Sequence, residues 1–146
     1  MAAERASDAA RGAAAGLLGT AALSATITAG RLTGAVPLSP PREISFRLQQ
    51  HFPKAPHLAV WGLGHFAYGA FFGAAFAAGR PSLPAPAPLA GVLYGLGLWA
   101  ASYVWLMPRL GLYPKPSWDK PSRRHTMIVG HALYGLVLGL LDARRR

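Results

Sequence analysis

Cysteine is absent from this chain, which removes disulfides, zinc thiolates and thiol catalysis together. Acid is nearly absent. Five Asp and Glu stand against fifteen Lys and Arg in 146 residues, for a formal net charge of +10. Charged residues make up 14% of the chain and hydrophobic ones 52%, whereas soluble domains are about 25% charged. No G-x-S-x-G, H-E-x-x-H or paired carboxylate within an apolar stretch is present, so catalysis has no recognisable constellation.

The charges that exist are segregated. No Asp, Glu, Lys or Arg occurs from Gly12 to Gly30, from Ala55 to Gly79, from Pro81 to Pro108 or from His125 to Leu141. A helix crosses the hydrocarbon core in about 20 residues. These windows predict an all-α, four-span transmembrane bundle in one domain over 1–146, with spans at about 12–30, 58–78, 89–107 and 125–141. A β-barrel needs alternating polarity, and a soluble bundle needs a charged face on each helix. Neither pattern is present. The basic residues flank the apolar windows, where anionic lipid headgroups are the natural partner. Nucleic acid is not expected, because no basic-aromatic module appears.

The N-terminus carries Glu4 and Asp8 beside Arg5 and Arg11, unlike the plainly positive start of a signal peptide. Span one is therefore read as retained, although Ala22-Leu23-Ser24-Ala25 resembles a cleavage site. Its row Gly12, Gly16, Thr20, Ser24 and Thr28 repeats every fourth residue and predicts a small-residue packing ridge. After Pro37, Pro40 and Pro41, the pattern of Ile44 and Leu48 opposite Arg42, Glu43, Arg47 and Gln50 predicts a short interfacial helix with its charges in water. Pro-rich residues 80–88 make spans two and three antiparallel neighbours. Tyr113 and Trp118 are candidate interface anchors, and Ser122 is a candidate cap for the fourth helix.

One pattern occurs twice. Gly64-His65-Phe66-Ala67-Tyr68-Gly69-Ala70-Phe71-Phe72-Gly73 matches Gly130-His131-Ala132-Leu133-Tyr134-Gly135-Leu136-Val137-Leu138-Gly139, as G-H-x-x-Y-G-x-x-x-G. Gly91 and Gly95, around Tyr94, echo it in span three. The packing glycines are Gly12, Gly16, Gly69, Gly73, Gly91, Gly95, Gly135 and Gly139. Each histidine shares its helical row with glycines, so both are expected to face protein. Spans two and four run in the same direction, and the chain reads as a parallel repeat of two hairpins.

An ionisable residue inside a span marks a functional hypothesis. The candidate cluster is His65, Tyr68, Tyr94, His131 and Tyr134. An interhelical hydrogen bond from His to Tyr, Ser or Thr, contributing about 0.6–2 kcal/mol, is the plainest role. A proton or solute path and haem or metal ligation through His65 and His131 stand beside it. No cofactor or metal is assigned, and haem stays open. His51, His57 and His125 are expected at the membrane boundary or in solvent.

The glycine- and alanine-rich first span, Val36-Pro37-Leu38-Ser39-Pro40-Pro41-Arg42, a histidine in span two and Gly130-His131 opening span four resemble the YagU-like family of small bacterial inner-membrane proteins. The resemblance implies a bacterial inner-membrane location and a setting in stress or acid tolerance; it implies no reaction. The function expected is a non-enzymatic, multi-pass structural or accessory unit with a His/Tyr cluster linked to pH or stress response. Its partners would be the lipid bilayer and a larger membrane complex or a second copy. The alternative is a small transport or haem/metal-binding subunit. The positive-inside rule favours the two longer connections in the cytoplasm, while Arg144, Arg145 and Arg146 oppose it. Orientation is open.

Overall fold

The computed structural model describes residues 2–51, 53, 54, 56, 59–80, 85–113 and 115–144. Among them the secondary structure is helical throughout. Helix α1 is Ala2–Leu32, α2 Pro40–His51, α3 Gly64–Gly79, α4 Ala87–Trp99, α5 Met107–Arg109 and α6 Pro121–Ala143. Two π-helical segments adjoin them. Ala59–Leu63 leads into α3, and Ala100–Leu106 continues α4 into α5.

Among the described residues, three helical stretches are long and apolar enough to cross a membrane: Ala3–Leu32, Ala87–Arg109 and Pro121–Ala143. The expected second span is the exception. Helix α3 has 16 residues, which at 1.5 Å per residue reach about 24 Å, short of a hydrocarbon core of about 30 Å. Its five-residue π-helical lead-in lengthens it. Helix α6 begins at Pro121, four residues before the apolar window, because proline fits the first turn of a helix. Lys120 occupies the cap position without a side-chain bond. Ser122 is not the cap; its hydroxyl donates instead to the Ala35 carbonyl at 2.9 Å.

The helices pack as two hairpins, α1 with α3 and α4 with α6, joined through α1 against α6. Glycine sets both hairpins. A Cβ added at Gly73 would sit 2.7 Å from the Gly16 Cα, and one at Gly135 would sit 2.7 Å from the Gly91 carbonyl carbon. Real Cβ atoms do not come so close, so each hairpin brings backbone against backbone in the manner of small-residue membrane interfaces. Gly16 meets Gly69 and Gly12 meets Gly73; Gly91 meets Gly135, and Gly139 meets Ala87. The two hairpins are thus built alike, with residues of α1 answering to residues of α4 and the two G-H-x-x-Y-G-x-x-x-G copies answering to each other.

The ridge of α1 is shorter than its sequence row. Gly12, Gly16 and Thr20 are buried, but Thr28 is exposed. Helix α1 turns a second row toward α6, with Ala15, Leu23 and Ile27 buried in the core and Gly19 against Tyr134. The hydroxyls of Thr20, Thr26 and Thr28 each donate to the carbonyl four residues back, so none is left unpaired in the helix.

The likeness between the halves fails at one seam. Gly19 of α1 accommodates the Tyr134 ring of α6. The corresponding positions in the other seam are Tyr94 of α4 and Tyr68 of α3. Both are large, and they hold α3 away from α4. Helices α3 and α4 meet through side chains that reach across the gap. Tyr94 Oη donates to the Phe72 carbonyl at 2.8 Å, and the Tyr94 and Phe76 rings lie 5.2 Å apart. Likewise Gly130 is filled by Leu23, whereas the matching Gly64 has nothing near its would-be Cβ.

Candidate functional site

The propped seam leaves a cavity of about 260 Å³. It lies at the end of the bundle that carries α2 and the 110–120 connection. His65, Tyr68 and Gly69 of the first repeat copy line it, as do His131 and Tyr134 of the second. Tyr94 of the expected cluster is not in the wall; it braces α3 beside it. Both π-helical segments contribute to the lining, through Val60 and Trp61 and through Ser102 and Tyr103. A π-helical turn widens the helix and is common where a side chain is re-aimed at a functional site. Here the Met107 amide reaches back five residues to the Ser102 carbonyl, which turns Ser102 toward α3.

The polar groups are satisfied unevenly. Tyr134 Oη donates to the Gly69 carbonyl at 2.7 Å. That carbonyl lies in a helix row without side chains, so a phenol from α6 can reach it. Tyr68 Oη and Ser102 Oγ share a hydrogen bond across the α3–α4 seam. These bonds stand where an interhelical bond from His to Tyr, Ser or Thr is expected. His131 Nδ1 donates to the Met127 carbonyl of its own helix at 2.8 Å. In the neutral ring this leaves the Nε2 lone pair free to accept a hydrogen bond or bind a metal. His65 Nε2 and Trp99 Nε1 are buried and have no partner. Leaving such a nitrogen unpaired costs about 1–3 kcal/mol.

No Asp, Glu, Lys or Arg among the described residues lines the cavity. Among the described residues, no three His, Asp or Glu are grouped to hold a metal ion. At about 260 Å³ the cavity lies just below the roughly 300–1,000 Å³ typical of ligand pockets.

Helix α2 covers the end of the cavity. Ile44, Ser45 and Leu48 enter the lining, so the apolar face expected for this helix meets protein. Its charged face is not simply solvated. Glu43 pairs with Arg123 of α6 at 3.1 Å, and Arg123 Nε also pairs with Asp119. The Asp119 side chain is fully shielded and accepts from Tyr103 Oη, from Tyr113 Oη at 3.4 Å and from the Lys120 amide at 2.8 Å. Tyr113 is therefore buried in this network and is not an interface anchor, whereas Trp118 is 77% exposed. Burial raises the pKa of the Tyr113 phenol, against the pull of Arg123, so the hydroxyl stays neutral and remains a donor. His125 is exposed. His57 and the side chain of His51 lie outside the described residues, as do Arg145 and Arg146.

A family model described as a family of unknown function, DUF6789, matches residues 6–145. The chain belongs to that family. No curated protein and no solved structure matches it. The DUF6789 match runs through both hairpins, α2 and every residue of the cavity wall, so the site lies within the family's own domain.

Sequence reasoning reached His65, Tyr68, His131 and Tyr134. It left Trp99 and Ser102 out of the cluster, gave Thr20 only a packing role and did not find the Asp119–Arg123–Glu43 network. Trp99 and Ser102 stand outside both repeat copies, and Asp119 is the one acid in a basic loop. That lone acid between two cationic stretches was the available signal.

Proposed function

We propose that this chain is a four-span membrane protein that holds a small, uncharged, lipid-soluble molecule in the cavity between its hairpins. It serves as a binding or accessory unit and not as an enzyme. The observation that carries this reading is the 260 Å³ cavity, with no Asp, Glu, Lys or Arg among its described lining residues, beside two buried nitrogens, His65 Nε2 and Trp99 Nε1, that have no partner. A polar ligand would pay to leave water for such walls; an apolar one with a few hydrogen-bonding atoms is suited to them.

Four spans are supported by what the outer surface presents. Leu18, Phe71, Leu93, Trp105 and Val129 are each more than half exposed. They come from α1, α3, the α4 stretch and α6, so α3 carries the same apolar outer face as its longer neighbours. The likeness to YagU-like proteins adds the bacterial inner membrane as location and stress or acid tolerance as setting. Basic residues at both ends suit anionic headgroups. Coordination of haem is the weaker reading, because the available volume is small.

Xenon enters dry apolar cavities, and a ¹²⁹Xe NMR titration in nanodiscs tests the pocket. One saturable site is expected in the wild type, lost in Gly64→Leu, whose side chain would occupy the space. A signal that never saturates, or one unchanged by the substitution, would contradict the reading.

A further inference from the structure

The two unpartnered nitrogens restrict what the cavity can take. Trp99 Nε1–H is a donor and never an acceptor, so the occupant must present an acceptor there. His65 Nε2 donates in one neutral tautomer. The side chains that hold them belong to different helices, α3 and α4, on the two sides of the open seam. The walls near Trp99 are aromatic and flat. Its ring stacks on Tyr103 at 5.4 Å and 17°, and Trp61 also lines the space.

We propose that the cavity receives the head group of a lipid-soluble quinone, an uncharged planar ring whose two carbonyl oxygens accept from Trp99 Nε1–H and His65 Nε2–H. The proposal rests on the reading of the cavity as a ligand pocket. In the His65 tautomer protonated at Nε2, two acceptors match two donors, and an uncharged ring matches a wall with no Asp, Glu, Lys or Arg among its described residues. A fatty acid would bury a carboxylate with no cation in the lining, which is costly. A cavity of about 150 Å³ holds benzene, so 260 Å³ suits a substituted ring of one or two fused cycles. Gly64 lines the cavity and is itself exposed, with nothing within 4 Å of a would-be Cβ. With no side chain there, the isoprenoid tail has a way out to the lipid past α3. Only binding is assigned; no electron transfer follows from these residues.

The probe is menadione, a naphthoquinone with no tail, titrated by calorimetry into the full chain in nanodiscs. The comparison ligand is 2-methylnaphthalene, the same ring system without carbonyls. Saturable binding of menadione at least about fivefold tighter than the naphthalene is expected, since each neutral hydrogen bond contributes about 1 kcal/mol. Trp99→Phe keeps the stacking surface and removes the donor, and should weaken menadione about fivefold without changing the naphthalene. His65→Phe should do the same, and Trp105→Phe on the lipid face should change neither. Equal affinity for the two ligands, or menadione binding indifferent to both Trp99→Phe and His65→Phe, overturns the quinone assignment. Xenon on the same sample separates the two claims. Xenon bound with menadione excluded removes the quinone and leaves the pocket; both excluded removes the pocket as well.

Discussion

Tyr134 of the second repeat copy donates its hydroxyl to the carbonyl of Gly69 in the first, at 2.7 Å. The two copies of G-H-x-x-Y-G-x-x-x-G are therefore bonded to each other, and the bond is buried. Its counterpart, from Tyr68 to Gly135, would complete the symmetry. Tyr68 bonds Ser102 instead, on the side where the helices stand apart. The cavity lies on that side.

Tyr134→Phe removes this bond and leaves the ring against Gly19. Interhelical hydrogen bonds in membranes contribute about 0.6–2 kcal/mol, so a loss of about 1 kcal/mol is expected. Reversible unfolding in mixed SDS micelles measures it. Tyr94→Phe should lose a similar amount, because its partner is also a backbone carbonyl.

Topology distinguishes three crossings from four. The chain has no cysteine, so single cysteines report cleanly. With α3 crossing, Ser7→Cys and Ser117→Cys lie on opposite faces and label from opposite sides with an impermeant maleimide. If α3 does not cross, both label from the same side.

Asp119 ties Tyr103, Tyr113 and Arg123 together, and Arg123 passes the tie to Glu43 of α2. Asp119→Ala takes one of two carboxylate partners from the largely buried Arg123 guanidinium, which keeps Glu43. Removing one partner of a buried ion pair costs about 3–5 kcal/mol, so thermal unfolding in detergent should show a destabilisation of about 3 kcal/mol. Protease cleavage near α2 should rise in Glu43→Ala, which removes the Arg123 tether from α2 to α6. Lys115→Ala, an exposed position, is the control and should be neutral.

Charge-free windows and a four-residue glycine period carried much of the architecture, because both are local properties of a helix in lipid. They placed the hairpin faces at Gly69 and Gly73 and at Gly135 and Gly139, and the imidazoles beside them. They could not reveal the cavity, which comes from a difference between the halves. Gly19 and Tyr94 occupy matching places only once α1 and α4 are superposed through their partners, and nothing in either stretch states that register. Trp99 and Ser102 are drawn in by a π-helical turn, a departure from the 3.6-residue period on which a helical face is read. Tyr113 looked like an interface residue because its acid partner, six residues on, stands in a loop with no periodicity to read.

Unfolding of two matched variants tests the broken symmetry most directly. Gly64 and Gly130 open the two copies of the repeat, yet a Cβ at Gly64 meets nothing and one at Gly130 meets Leu23 Cδ1 at 2.5 Å. Gly64→Leu should unfold at the wild-type midpoint or above it, because it fills space and replaces a helical glycine. Gly130→Leu should lose about 1–3 kcal/mol through overpacking. Equal destabilisation of the two would mean that both seams are closed, and the cavity would not exist.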